Sequence, residues 1–174
     1  MTLDGNFDHN AGIADEELHQ HYTELLSTVD AVLYGRITYQ LMEYWRTFLE
    51  NPSEEKSMND FAKAIDCIPK IVFSNTLKNV DWHSAKLANQ PLKELVSELK
   101  QQSRKDILVG SRSLIIQLLK LNLIDEFQLC IQPVLAGKGL QLFENIEDRT
   151  LLKLTNTKTF SGGAVLLYYE PVKH

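Results

Sequence analysis

The sequence predicts an α/β protein: a three-layer α/β/α arrangement with a mixed central sheet and a C-terminal antiparallel hairpin. Short apolar runs alternate with helical repeats up to Leu121. Glycines punctuate two strand-to-helix junctions, at Gly35 and Gly110. From Asp125 the apolar period changes to two, and the chain ends in two strands joined by turn residues.

The elements follow in order. Asp15 to Val29 reads as an amphipathic helix, capped by Asp15, with Leu18, Tyr22, Leu25, Leu26 and Val29 at helical spacing. Asp30 to Tyr34 is a buried strand. Tyr39 to Leu49 is helical, and Tyr39, Met42, Trp45, Phe48 and Leu49 form a stripe suited to core packing. After the polar loop Asn51 to Lys56, Asn59 to Cys67 is a short helix ending before Pro69. Lys70 to Ser74 is a strand, Asn75 to Gln90 is loop-rich, and Pro91 starts a helix through Leu92, Leu95, Val96 and Leu99. Asp106 to Gly110 is the next strand, and Ser113 to Leu121 is a helix apolar enough to be buried against the sheet. Phe127, Leu129 and Ile131 then alternate with Gln128, Cys130 and Gln132 as a strand that Pro133 bends or places at an edge. Leu151 to Thr159 and Ala164 to Pro171 are strands around Ser161-Gly162-Gly163, a hairpin by turn chemistry.

With 174 residues the chain is read as one domain, 1–174, large enough to bury its own core. A hydrophobic fraction of 44% and a charged fraction of 24% are those of a soluble globular protein, and the reading is a cytoplasmic one. A net charge of −5 argues against a nucleic-acid partner, and neither a signal peptide nor a membrane span is expected. Cys67 and Cys130 form no metal-ligand pair and read as buried small apolar residues. His9, His19, His21, His83 and His174 show no ligand spacing, so no metal is expected. The apolar strands near the C-terminus fit a homodimer and fit the domain's own core equally well.

Three strand ends carry polar, anion-friendly residues: Gly35-Arg36-Ile37-Thr38, Ser74-Asn75-Thr76 and Gly110-Ser111-Arg112-Ser113. Glycine permits close backbone approach, helix N-terminal N–H groups face an anion, and arginine offers a planar fork for phosphate. The alternative for the first turn is an ordinary junction with Thr38 as helix N-cap. Because ligands bind outside the carboxyl ends of strands in open α/β sheets, the repetition fits a ligand with several phosphates, such as a dinucleotide. The adjacent carboxylates Asp125 and Glu126 point to opposite faces of a strand and do not form a catalytic pair.

The order of five segments resembles the dihydrofolate reductase-like fold and, within it, the C-terminal reductase domain of the riboflavin-biosynthesis protein RibD. They are Met1 to Gly5, Gly35 to Tyr39, Lys70 to Leu77, Asp106 to Ser111, and Leu123 to Phe127 leading to Pro133 to Phe143. The resemblance covers essentially the whole chain. It implies NADPH as cofactor and hydride transfer to a C=N or C=O group of a small pterin- or pyrimidine-like substrate. It places Arg36 and Thr38 at the cofactor phosphates, with Gly35 and Ile37 in the same turn. Ser74, Asn75 and Thr76 fall on the adenosine side near the 2′-phosphate, and Gly110, Ser111, Arg112 and Ser113 around the pyrophosphate.

The resemblance also makes Asp4 the acidic residue near substrate and nicotinamide, and a candidate proton source; an Asp-Gly turn is the alternative. Gly137, Lys138 and Gly139 would border the substrate. Two departures stand out. Ser111 occupies a position where relatives commonly carry a second glycine, and it brings either a bulky Cβ or a substitute hydroxyl donor. The apolar strand that usually precedes the Met1 to Gly5 segment is not in this sequence. A nucleotide-binding protein without catalysis is the rival reading, and the zinc deaminase signature of bifunctional relatives is absent from the sequence.

Overall fold

In the computed structural model, which describes residues 1–7, 10, 12–143, 146 and 149–172, the apolar run Val29–Gly35 is β1, an inner strand of a parallel sheet. The chain forms two compact units. One is Glu16–Leu123; the other joins Met1–Asp15 to Ile124–His174.

The first unit holds a four-stranded sheet in the order β3-β2-β1-β4, with β2 at Lys70–Phe73, β3 at Ala85–Leu87 and β4 at Asp106–Val109. All three pairings are parallel. Its helices are α1 (Glu16–Ser27), α2 (Arg36–Met42), the short α3 (Thr47–Glu50), α4 (Lys56–Cys67), α5 (Leu92–Gln102) and α6 (Arg112–Lys120), with a 3-10 turn at Glu43–Arg46. β1 is buried at both alternating sets of positions, as a parallel strand covered on both faces must be. One set, Val32 and Tyr34, packs with Leu26 of α1, Tyr39 of α2, Ile65 of α4, Val72 and Trp82. The β3-to-β4 crossover runs back across the sheet, so the right-handed rule puts α5 on the opposite face, where Ala31 and Leu33 are also buried.

Several boundaries differ from the sequence reading. Helix α2 begins at Arg36, directly after Gly35, rather than at Tyr39. The continuous helix expected through Leu49 is broken into α2, the 3-10 turn and α3. The loop-rich stretch contains β3, an edge strand of only Ala85–Leu87 that lacks β-branched residues and is defined by its pairing with β2. Cys67 is exposed and Cys130 is half-buried. Ala62 and Ile65 give α4 its buried face, and Cys67 falls on the other side of the helix. Leu121 follows α6 and is exposed, whereas Leu114 and Leu118 bury as expected.

In the second unit β5 (Phe127–Ile131), β6 (Leu152–Thr159) and β7 (Val165–Pro171) form an antiparallel sheet in the order β5-β7-β6. The mixed character expected of one sheet is thus divided between a parallel and an antiparallel sheet. The hairpin turns where its chemistry predicts: Phe160 N–H donates to Ala164 O at 2.9 Å, and Gly163 takes φ +86°, which a glycine adopts without strain. Thr2 bridges Gln132 in parallel beside the end of β5. Gln132 N–H donates to Met1 O at 2.8 Å, and Leu3 N–H to Val134 O at 2.9 Å.

Among the described residues, no helix is long and apolar enough to cross a membrane, and no group of three His, Cys, Asp or Glu is placed to hold a metal ion. His9 and His174 lie outside the described residues.

Candidate functional site

The three polar turns follow β2, β1 and β4, which are adjacent and parallel, so the sheet brings all three to one end. Gly35 is level with Phe73 of β2, and Leu33 with Val109 of β4. Strand order reverses at β1: the chain moves from β1 outward to β2 and β3, then returns to add β4 on the other side. At such a reversal of strand order, in the crevice outside the two strand ends, open α/β sheets bind ligands.

The two walls of this crevice touch. Ser111, which is only 2% exposed, accepts a hydrogen bond at its Oγ from Gly35 N–H at 2.7 Å. A Cβ added to Gly35 would stand 3.4 Å from Ser113 Oγ, so that hydroxyl also faces the β1 turn. A Cβ on Gly110 would come within 3.1 Å of the Tyr34 ring, which explains the glycine there. Gly35 is the N-cap of α2 and Ser111 that of α6, yet neither cap makes a side-chain hydrogen bond to its own helix. Thr38 lies inside the first turn of α2, so the alternative of Thr38 as N-cap is excluded. Arg36 and Ile37 are exposed, and Arg36 Nη1 donates to Gln40 Oε1 at 3.2 Å.

At the β2 turn, Ser74 Oγ accepts N–H groups from Thr76 at 3.1 Å and Leu77 at 2.9 Å, which fixes the backbone locally; Asn75 and Thr76 are exposed. Beyond it lies an open cleft of about 250 Å³, lined by Tyr39, Gln40 and Glu43 of α2 and its 3-10 extension and by the loop from Leu77 to Asp81. Sequence reasoning did not anticipate this cleft. Its carboxylates repel a phosphate, and Arg46 is already paired with Asp81 at 3.0 Å.

The second unit gathers the remaining candidates. Asp4 lies in the turn after Thr2, and its carboxylate accepts three hydrogen bonds: Thr2 Oγ1 at 2.5 Å, Ala136 N–H at 3.2 Å and Gly137 N–H at 2.7 Å. The Thr2 hydroxyl and these two amides hold its pKa down at about 2. Asn6, itself buried, donates from Nδ2 to Lys138 O at 3.1 Å, while the Lys138 side chain is exposed. Asp4 and Asn6 thus pin the segment Ala136 to Gly139 from the amino-terminal segment. Gly137 sits at φ +77° with open space around it.

Gly139 has a different reason for being glycine: a Cβ there would fall 1.8 Å from Asn6 Nδ2. Substituting Gly139→Ala should displace the Asn6 amide and cost about 1–3 kcal/mol. This would be read as a lower urea midpoint; a midpoint equal to that of the unmodified protein would mean that Asn6 can give way freely.

Comparison with known proteins agrees with this arrangement. Residues 1–166 match the model of the RibD C-terminal domain. A Bacillus subtilis protein, YyaP, is 36% identical over 174 aligned residues, covering 98% of this chain and 90% of its own. Among solved structures, a protein from Shewanella sp. PV-4 described as a putative riboflavin biosynthesis protein superimposes with a TM-score of 0.71 at 19% identity, covering 99% of this chain and 96% of its own. A pyrimidine reductase-like protein from Corynebacterium diphtheriae superimposes with a TM-score of 0.66 at 15% identity, covering 100% and 90%. The fold is thus the dihydrofolate reductase-like one of RibD-type proteins. A parallel sheet with three polar turns at one end, the pinned loop at Asp4 and a family match along residues 1–166 lead to one assignment: this chain belongs to the RibD C-terminal domain family, reductase-type domains that normally use a nicotinamide cofactor.

Proposed function

We propose that the protein is an NADPH-dependent reductase acting on a C=N or C=O group of a small, pterin- or pyrimidine-like substrate. The observation that carries this reading is the convergence of Gly35-Arg36-Ile37-Thr38, Ser74-Asn75-Thr76 and Gly110-Ser111-Arg112-Ser113 at one end of the parallel sheet, two of them flanking the point where strand order reverses. The residues fit a pyrophosphate-bearing cofactor. Neither Gly35 nor Ser111 caps its own helix with a side chain, and Gly35 faces the two serines opposite, with Ser113 Oγ 3.4 Å from where a Cβ would stand.

In this reading Gly110, Ser111, Arg112 and Ser113 hold the pyrophosphate. Arg36 with Ile37 and Thr38 takes further phosphate oxygens, and Ser74, Asn75 and Thr76 border the adenosine side. When bound, NADPH supplies the hydride. The chain's own work is to fix the orientation of the reacting groups and exclude water. Asp4, Gly137, Lys138 and Gly139 are assigned to the substrate. A carboxyl group with a pKa of about 2 is an anion at neutral pH, so Asp4 acts as an acceptor and loop anchor, and the proton comes from water. The similarity to a putative riboflavin biosynthesis protein and to a pyrimidine reductase-like protein supports a heterocyclic substrate and a place in riboflavin biosynthesis. A cytoplasmic location and a homodimer belong to the same proposal, the latter resting on the exposed Leu152 and Leu154 of the edge strand β6.

Nicotinamide fluorescence tests the reading: NADPH should bind more tightly than NADH, and turnover should follow with a pterin, pyrimidine or simple carbonyl substrate. Binding of neither cofactor would refute it, and binding without turnover would favour a nucleotide-binding protein. The variant Arg36→Ala should raise the Kd for NADPH by about 10- to 100-fold and leave that for NADH within about twofold, the expected loss for a charged hydrogen bond to phosphate. Equal losses for both cofactors would show that Arg36 does not read the 2′-phosphate.

A further inference from the structure

Tyr39 packs its ring in the core and is only 3% exposed, but its hydroxyl reaches the connection between β2 and β3. It donates to Asp81 Oδ1 at 3.3 Å, across 42 residues of sequence, and backbone hydrogen bonds from Trp82 and Asp81 also reach it. Asp81 Oδ1 accepts a second bond from Arg46 Nη1 at 3.0 Å, so the 3-10 turn after α2 grips the same carboxylate. The connection is fastened there from behind as well. Trp82 is 2% exposed and donates from Nε1 to Asp66 Oδ1 of α4 at 2.6 Å.

The two elements joined in this way carry two of the turns assigned to the cofactor. Tyr39 directly follows Thr38 in α2, the helix that starts at Arg36. Arg36 Nη1 donates to Gln40 Oε1 at 3.2 Å, so its guanidinium lies along the helix toward a residue that lines the open cleft with Tyr39 and Asp81. On the other wall of that cleft Leu77, whose N–H donates to Ser74 Oγ at 2.9 Å, continues the turn Ser74-Asn75-Thr76. The contact between Tyr39 and Asp81 spans these walls.

We propose that Tyr39 is a positioning residue for cofactor specificity: its hydroxyl, through Asp81, sets the spacing between Arg36 and the Ser74-Asn75-Thr76 turn, and that spacing favours a cofactor bearing a 2′-phosphate. This inference rests on the reading of both turns as cofactor contacts. A phosphate held from two sides needs both at one separation, and NADH has no such phosphate. Asp81 cannot itself be the phosphate contact, because two anions repel. Its effect through position therefore has the opposite sign to its effect through charge.

The test compares NADPH and NADH titrations of the unmodified protein, Tyr39→Phe, Asp81→Ala and the double variant. Phenylalanine keeps the packed ring and removes only the hydroxyl, and Asp81 is exposed, so all three variants should melt within a few degrees of the unmodified protein. Tyr39→Phe should raise the NADPH Kd about fivefold, the worth of one hydrogen bond, and leave the NADH Kd within about twofold. Asp81→Ala should also raise the NADPH Kd, and the double variant should lie within about twofold of the weaker single variant, as two ends of one contact do.

A Tyr39→Phe variant that binds NADPH within twofold of the unmodified protein would overturn the inference and leave the cofactor reading standing. So would fully additive losses in the double variant, or equal losses for NADPH and NADH, which a merely structural role gives. Tighter NADPH binding by Asp81→Ala would overturn it too, since removal of the charge alone has that sign. Failure of the unmodified protein to bind NADPH would overturn both readings.

Discussion

Replacing Lys70 by alanine should destabilise the protein by about 3–5 kcal/mol, the range for a deletion that leaves both a cavity and unpaired polar groups. Lys70 opens β2 and is fully buried, at 0% exposure. Its ammonium donates to Ile68 O at 2.9 Å, Asp66 O at 3.3 Å and Ser84 Oγ at 2.7 Å, and lies 4.1 Å from the centre of the Trp82 ring. Those carbonyls belong to the last residues of α4 and the turn after it, so the cation ends that helix and ties it to the β3 side of the sheet. Trp82 completes the cluster by donating from Nε1 to Asp66 Oδ1 at 2.6 Å. Lys70→Met keeps most of the volume and loses the hydrogen bonds, and should cost about half as much as alanine. Urea denaturation followed by tryptophan fluorescence measures both, and an alanine variant with an unchanged midpoint would show that the buried ammonium contributes nothing net.

The same residue sets a pH dependence. Burial lowers the Lys70 pKa from 10.5 to about 8, an effect that the nearby Asp66 carboxylate offsets only partly. Because the folded value lies below the unfolded one, the unfolded chain binds more protons between pH 8 and pH 10.5, so this group's contribution to stability rises with pH across that window and is flat below it. The stability of the unmodified protein relative to Lys70→Met should therefore increase from pH 7.5 to about 10. A constant difference would show that the ammonium titrates normally.

Lys70 also marks where the sequence stopped being informative. The strands and helices of the parallel unit were legible because Gly35, Pro69, Pro91 and Gly110 punctuate them, and because polar turn residues recur at three strand ends. What was not legible depends on partners distant in the chain. A lysine flanking an apolar run reads as solvated, and only the return of Trp82 and Ser84 buries it. A serine before a helix reads as a local cap, and only the neighbouring strand reveals that its partner is Gly35. Strand β3 has no β-branched residue and exists because Ala85–Leu87 pairs with β2. The break of the long helix after Met42 has no glycine or proline to announce it. Asp4 was ambiguous between a turn and a site residue, since its three donors include two backbone amides 132 and 133 residues away.

Substituting Asp4→Asn should reduce turnover by about 100-fold, the loss that a misplacement of about 1 Å produces in an oriented site. The amide keeps the size of the carboxylate but presents an NH₂ group where Asp4 now accepts from Thr2 Oγ1 or from the amides of Ala136 and Gly137, so at least one donor loses its acceptor and the segment carrying Gly137 to Gly139 shifts. If Asp4 serves the substrate side, the NADPH Kd should stay within about threefold while the turnover rate collapses, a split visible in single-turnover oxidation of NADPH.

The pH profile separates this anchoring role from acid catalysis. With a folded pKa of about 2 against an ordinary 3.8, the Asp4 contribution to stability is fully present above pH 3.8 and is lost as pH falls through 2. The turnover profile between pH 5 and pH 9 should then carry no limb that disappears in the asparagine variant. A limb in that range abolished by Asp4→Asn would make Asp4 the proton donor and overturn its assignment as an ionised anchor.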